Sequence, residues 1–325
     1  MIKKIAKRIL PDSLQNKIRH RIMIKHKNNI ESQEVINKQI QYSKDFKIIK
    51  ERESVYKTSN FDLTPLQKDL VSQVSKNGLF FGKLIDFYKQ SSELLNYLET
   101  IASTTKGKTY MELEEEHIPQ DFEHAYGRKA HFLNLYHPKK GINDPIKSFV
   151  TDPSIFTMAA RYLGEIPQVM MMSFLYTPKN TLDERGPMLW HLDRHHDSVF
   201  RMFINPFQMT VENGATMAFP SKYTEKEFYQ TYPYFNNDEA QANGFNFNDI
   251  VTLEGAAGMF GVVDTCKNFH CGSRSREERF LAILTFVPYI HKNKYDAANI
   301  REERDVFEKE NEIIYNYFKT HSIND

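Results

Sequence analysis

From residue 166 onward the chain is cut into short apolar or alternating runs closed by turn-forming residues: 169–176, 188–191, 199–209, 215–219, 250–253, 258–263, 268–271 and 280–287. Such runs are mostly too short for helices, and their period of two puts successive side chains on opposite faces of an extended chain. Strands of this kind bury their apolar faces by stacking as two sheets. The expected fold class is therefore α+β, with a double-stranded β-helix core (jelly-roll, cupin-like) and flanking N-terminal and C-terminal helices. Before the strands, Leu63, Leu66, Leu70 and Val74 recur at helical spacing, as do the apolar residues of 84–98, with Gly78 between the two sets. The expected organisation is a basic amphipathic segment at 1–30, a mainly helical region at 31–162 packing on the core, a jelly-roll core at 163–292, and a C-terminal helix at 293–325. A polar and aromatic insertion at 221–248 carries Tyr223, Phe228, Tyr229, Tyr232, Tyr234 and Phe235. Its length and aromatic content predict a lid.

The first 28 residues hold Lys3, Lys4, Lys7, Arg8, Lys17, Arg19, Arg21, Lys25 and Lys27 against the single acid Asp12. That segment's +8 leaves −7 for the remainder of a chain whose net charge is +1. The remainder is thus acidic and not a nucleic-acid-binding body, whereas the head suits an anionic membrane surface. Cys266 and Cys271 are the only cysteines, spaced as neither a zinc pair nor a redox motif, which fits a reducing cytoplasm. The longest apolar run is too short to span a bilayer, and no signal peptide is expected. The expected location is cytoplasmic, with peripheral contact at the inner membrane face through 1–28.

In Trp190-His191-Leu192-Asp193 the His and Asp lie two apart, so an extended chain projects both to one side. His270 lies several strands downstream, where the second sheet of a jelly roll returns past the same end. Two His and one carboxylate on one face of an octahedron leave the opposite positions open for O2 and a chelating co-substrate, the arrangement of non-haem Fe(II) oxygenases. Asp197 and Glu212 stand as alternative carboxylates. Arg279 opens the last apolar run and alternates in phase with Leu281 and Ile283. If that face lines the barrel, its guanidinium can take the distal carboxylate of 2-oxoglutarate as a fork. Arg274 and Arg276 compete for that role. Tyr176 and Phe207 are candidates for the co-substrate pocket, and Arg201 and Trp190 for substrate contact.

The ordered set 188–193, Glu212-Asn213-Gly214, Asp264-Thr265, His270-Cys271-Gly272 and Arg279 resembles the phytanoyl-CoA dioxygenase family, a branch of the Fe(II)/2-oxoglutarate oxygenases. The likeness covers residues 165–290, roughly 40% of the chain. It departs at Gly214-Ala215 and Pro220-Ser221-Lys222, where the family often carries Gly-Pro and Pro-Gly-Ser-His. The resemblance implies iron held by His191, Asp193 and His270, with 2-oxoglutarate and O2 as co-substrates and a small molecule as substrate. Halogenating members lack the carboxylate ligand, so Asp193 implies hydroxylation. Two other readings stay open from the residues alone, a cupin-type metal enzyme without 2-oxoglutarate and a non-catalytic jelly-roll binding domain.

Overall fold

The structure, a computed structural model, describes residues 48–109, 112, 113, 116, 132–138, 143–179, 184, 186–193, 197–224, 234–272, 274–289 and 306–322. The chain divides into Met1–Ser54 and Val55–Asp325. In the first unit residues 48–54 are helical, and the basic segment expected at 1–28 lies outside the described residues. No described helix is long and apolar enough to cross a membrane.

The second unit holds strands β1 (Leu79–Lys83), β2 (Leu133–Asn134), β3 (Gln168–Thr177), β4 (Trp190–His191), β5 (Phe200–Ile204), β6 (Met217–Ala218), β7 (Tyr234–Phe235), β8 (Val251–Thr252), β9 (Met259–Val263), β10 (His270–Cys271) and β11 (Arg279–Val287). They form a large sheet in the order β1-β9-β5-β11-β3-β2 and a small sheet in the order β7-β4-β10-β6-β8. From β3 onward the chain alternates between them: β3 in the large sheet, β4 in the small, β5 large, β6 and β8 small, β9 large, β10 small, β11 large. Neighbouring strands are antiparallel throughout. That winding is the double-stranded β-helix, so the fold class is α+β with a jelly-roll core.

The helices are α1 (Pro65–Asn77), α2 (Ser91–Ser103), α3 (Pro145–Val150), α4 (Pro153–Leu163), α5 (Asn237–Ala242) and α6 (Glu308–Thr320). Strand periodicity decides what each face of the large sheet meets. Phe280, Ala282, Leu284 and Phe286 of β11 join Phe174, Phe200, Met202 and Phe260 in a core that takes in Phe156 and Ala160 of α4 and Ile314 and Phe318 of α6. Each fully buried Phe there contributes about 1.5–3 kcal/mol. Leu281 and Ile283 face the other way, into the space between the sheets, with Phe203, Ala218, Leu253 and Val263.

One expectation is extended here and one corrected. The region expected to be mainly helical contributes β1, which pairs with β9 along its whole length from Leu79↔Val263 to Lys83↔Met259. Its apolar Leu79-Phe80-Phe81 is two-faced, with Phe80 in the helix-side core and Leu79 and Phe81 between the sheets, a demand only a strand meets. The described part of the insertion, apart from Tyr234 of β7, covers the outside of the small sheet in place of a lid. Tyr223, Phe235, Ala240 and Phe245 bury the outward-facing Trp190, Phe219, Phe269 and Cys271.

Candidate metal centre

β4 and β10 are neighbours, and their register sets His191 directly opposite His270. The two rings lie 4.2 Å apart between centroids. The Nδ1–H of His191 donates to the Leu189 carbonyl at 2.9 Å and that of His270 to the Asn268 carbonyl at 3.0 Å. Each ring is therefore protonated on Nδ1 and offers the Nε2 lone pair. Asp193 follows β4, its amide donating to the Thr265 carbonyl at 2.9 Å. Its Oδ1 lies 3.9 Å from His191 Nε2 and its Oδ2 4.0 Å from His270 Nε2. All three donor atoms fall within 4.8 Å of one another. An ion about 2.1 Å from each donor needs them about 3 Å apart, so the cluster has to close by about 1–2 Å. Among the described residues no other group of three His, Cys, Asp or Glu converges in this way. Asp197 and Glu212 are exposed and not in the cluster.

The electrostatics prepare the same donors. Burial, then the neighbouring His191, pulls His270 down to about 3, and burial lowers His191 as well. Burial alone pushes Asp193 upward, but Arg201, followed by His270 and His191, holds its carboxyl well below the usual carboxylate range. The site thus presents two neutral imidazoles and one carboxylate, the protonation states a cation requires.

Arg201 and Arg279 both enter the space between the sheets. Arg201 of β5 donates through Nε to Thr285 Oγ1 at 3.0 Å, and its Nη1 pairs with Asp193 Oδ2. Where substrate contact was expected of Arg201, the structure pairs it with the chain's own carboxylate. Arg279 is buried, and its Nη2 donates to Thr216 Oγ1 at 2.9 Å. Its guanidinium lies over Gly272, where an added Cβ would stand 3.2 Å from Nη2. Gly272 is two residues beyond His270, on the same face, so this end of Arg279 lies about 7 Å along the strand from His270. Burial pulls Arg279 down to about 10. Its two rivals are elsewhere. Arg274 donates to the Met188 carbonyl at 2.6 Å and to Asn237 Oδ1 at 3.0 Å, and Arg276 makes an exposed ion pair with Glu212.

Three of the sequence candidates are on the wrong face. Arg279 is paired with Thr177, so Tyr176, paired with Phe280, points to the helix side, where its hydroxyl donates to Glu278 at 2.9 Å. Phe207 packs on Phe280 with centroids 5.4 Å apart. With Glu99, Ser103, Lys106 and Glu278 these two rings line a cavity of about 730 Å³ outside the barrel. Neither Tyr176 nor Phe207 lines the space that Arg279 enters. Trp190, one residue from His191, must point oppositely, and its Nε1–H donates to Asn237 on the outer cover at 2.8 Å. A residue that sequence reasoning passed over for the site takes a place beside it. Tyr234 of β7 is paired with His191, and the two rings are 5.3 Å apart.

No family model and no curated protein matches the chain. Among solved structures, AviO1 from Streptomyces viridochromogenes Tue57 is similar over 70% of this chain and 97% of its own, at 13% identity and a TM-score of 0.47. The non-heme alpha ketoglutarate dependent epimerase SnoN from nogalamycin biosynthesis is similar over 72% and 88%, at 10% identity and 0.46. EctD from S. alaskensis with bound Fe is similar over 69% and 76%, at 15% identity and 0.44. The strand order given above, and not these likenesses, carries the fold assignment.

Proposed function

We propose that this chain is an Fe(II)- and 2-oxoglutarate-dependent oxygenase that hydroxylates a small molecule. The observation that carries the reading is the convergence of His191 Nε2, His270 Nε2 and the Asp193 carboxylate at the inner face of the small sheet, with the guanidinium of buried Arg279, reaching over from the large sheet to Gly272, about 7 Å further along. Two imidazoles and one carboxylate fit a non-haem Fe(II) centre with open positions, whereas a structural zinc site would close the shell with a fourth protein ligand. A metal enzyme of cupin type without 2-oxoglutarate would need the triad but has no use for Arg279.

When bound, the iron with the keto acid and O2 supplies the oxidising power for attack on a C–H bond. The chain's own residues do the rest. His191 and His270 would hold the ion through Nε2, their rings aimed by the Leu189 and Asn268 carbonyls. Asp193, held ionised by Arg201, would supply the anionic ligand and occupy the position a halide would need. Arg279 would take the distal carboxylate of 2-oxoglutarate through its planar fork, with Thr216 fixing one end of the guanidinium. Leu281, Phe203 and Val263 exclude water from the space behind the donors, which strengthens each of these charged contacts.

The test is succinate release by purified, Fe(II)-loaded protein supplied with 2-oxoglutarate and O2, screened against candidate small molecules. Release stimulated by one class of compound, with an added hydroxyl in the product, is the expected result. Fe(II)-loaded protein that neither binds nor consumes 2-oxoglutarate would remove the reading.

A further inference from the structure

We infer that Asp264 is a positioning residue that sets two of the three donors of the metal centre, an inference that rests on the metal-binding reading above. Asp264 directly follows β9 and is fully buried. Its Oδ1 accepts from the amides of Val199 at 3.2 Å and Cys266 at 3.1 Å. Its Oδ2 accepts from Ser198 Oγ at 2.7 Å, from Lys267 Nζ at 3.1 Å and from the Tyr162 hydroxyl. A carboxylate offers about four lone-pair sites, so five donors leave this one no freedom to turn.

The main chain of the same residue closes the turn that follows. The Asp264 carbonyl accepts from Lys267 N at 2.9 Å and Asn268 N at 2.8 Å, and its amide donates to the Gly78 carbonyl at 2.8 Å. The turn thus held delivers two carbonyls to the site: Thr265 O, which receives the Asp193 amide, and Asn268 O, which receives His270 Nδ1–H. Asn268 is fixed a second time, its side-chain amide donating to Asn77 O at 2.9 Å and Phe219 O at 2.8 Å. One buried aspartate therefore gathers α4 and the approach to β5 through its carboxylate, and the α1–β1 junction through its amide, around the turn that aims His270 and tethers Asp193.

The cluster has no separate chemistry of its own. Ser198 Oγ lies 3.1 Å from Lys267 Nζ, the geometry of a nucleophile and its base. Both groups, however, are engaged by Asp264, whose carboxylate accepts from each.

The experiment is titration of the full chain with Co(II) alone, following affinity and the visible spectrum, which reports ligand geometry. Asp264→Asn keeps an acceptor for the Val199 and Cys266 amides but turns an NH2 toward three donors. It is expected to weaken Co(II) binding about 10- to 100-fold and to shift the spectrum. The Tyr162→Phe/Ser198→Ala double variant leaves the carboxylate intact with fewer restraints, and a smaller loss with a shift in the same direction is expected. Ile314→Ala, in the helix-side core, is the comparison for a purely structural effect and is expected to keep the unaltered protein's affinity and spectrum. If Asp264→Asn does not fold, the double variant decides. Unchanged affinity and spectrum in whichever variants fold would overturn the inference, as would an equal loss in Ile314→Ala. Failure of the unaltered protein to bind Co(II) at all would instead remove the metal-centre reading, and this inference with it.

Discussion

The two sheets of the barrel are built to different ends. In the large sheet β11 runs nine residues and pairs with β3 from Arg279↔Thr177 to Val287↔Gln168, with one irregularity between Thr285 and Phe286. Its helix-side face carries the largest share of buried aromatic and aliphatic side chains. The small sheet is made of two-residue strands, and His191 and His270 meet across it in a single register pair. So little ladder cannot hold a ring in place unaided. The orientation of the donors is supplied by carbonyls at Leu189 and Asn268 and by the turn at 264–268. Stability is concentrated on the helix-side face of the large sheet and chemistry in the space between the sheets, where Arg201 and Arg279 of the large sheet meet the donors of the small one, and changes to each should separate cleanly.

Phe286→Ala is the harshest test of that separation. A fully buried ring removed from the large sheet should cost about 3–5 kcal/mol in denaturant unfolding, while the molecules still folded keep the unaltered protein's metal affinity. A loss of metal affinity in proportion to stability would break the distinction. Arg279→Ala should cost about 2–5 kcal/mol of 2-oxoglutarate binding, read as a raised KM for the co-substrate with metal affinity preserved. Arg276→Ala, which removes an exposed pair with Glu212, should leave that KM unchanged. The opposite ranking would move the co-substrate to another arginine.

Gly78→Ala probes the seam between the two regions. Gly78 ends α1 at φ 77°, and a Cβ there would stand 1.8 Å from Asn268 Oδ1. The strained backbone should cost more than about 1 kcal/mol, and displacement of Asn268 should weaken metal binding as well. Loss of stability with unaltered metal affinity would show that Asn268 does not transmit to His270. The smallest effect expected is a pH dependence. The native pKa of His270 is depressed to about 3, against about 6.5 in the unfolded chain. Below about pH 6.5 the unfolded state takes up a proton that the native state refuses, so stability is lost as pH falls toward 3. Thermal unfolding of the metal-free protein should show Tm falling between pH 7 and pH 5, with a shallower slope in His270→Gln. Equal slopes would mean that His270 titrates normally in the native state.

How much of this was legible beforehand follows from the range of each interaction. Eight strands could be read because each is a local apolar run between turn formers. β1 could not, since Leu79-Phe80-Phe81 is too short to display a period beside the helical residues around it, and its partner β9 lies some 180 residues away. The spacing of His191 and Asp193 is local, and alternation alone put Arg279 in phase with Leu281 and Ile283. The same alternation, applied one residue at a time, would have turned Trp190 away from His191. Tyr176 needed more, because its face is fixed by the register of β3 against β11, which no spacing within β3 contains. Tyr234 reaches His191 only through the pairing of β7 with β4, and the role inferred for Asp264 emerges only when two distant segments converge on one carboxylate.

The central claim is that the space between the sheets binds Fe(II) and 2-oxoglutarate together. It is tested most directly by anaerobic titration of the purified chain with both, followed by visible absorption, because a keto acid chelated to Fe(II) gives a charge-transfer band that neither component shows alone. The account predicts that the band appears with the unaltered protein, demands more 2-oxoglutarate in Arg279→Ala, and is absent from a folded His270→Ala. A protein that binds Fe(II) yet develops no band at saturating 2-oxoglutarate, or a His270→Ala variant that develops it undiminished, would contradict it.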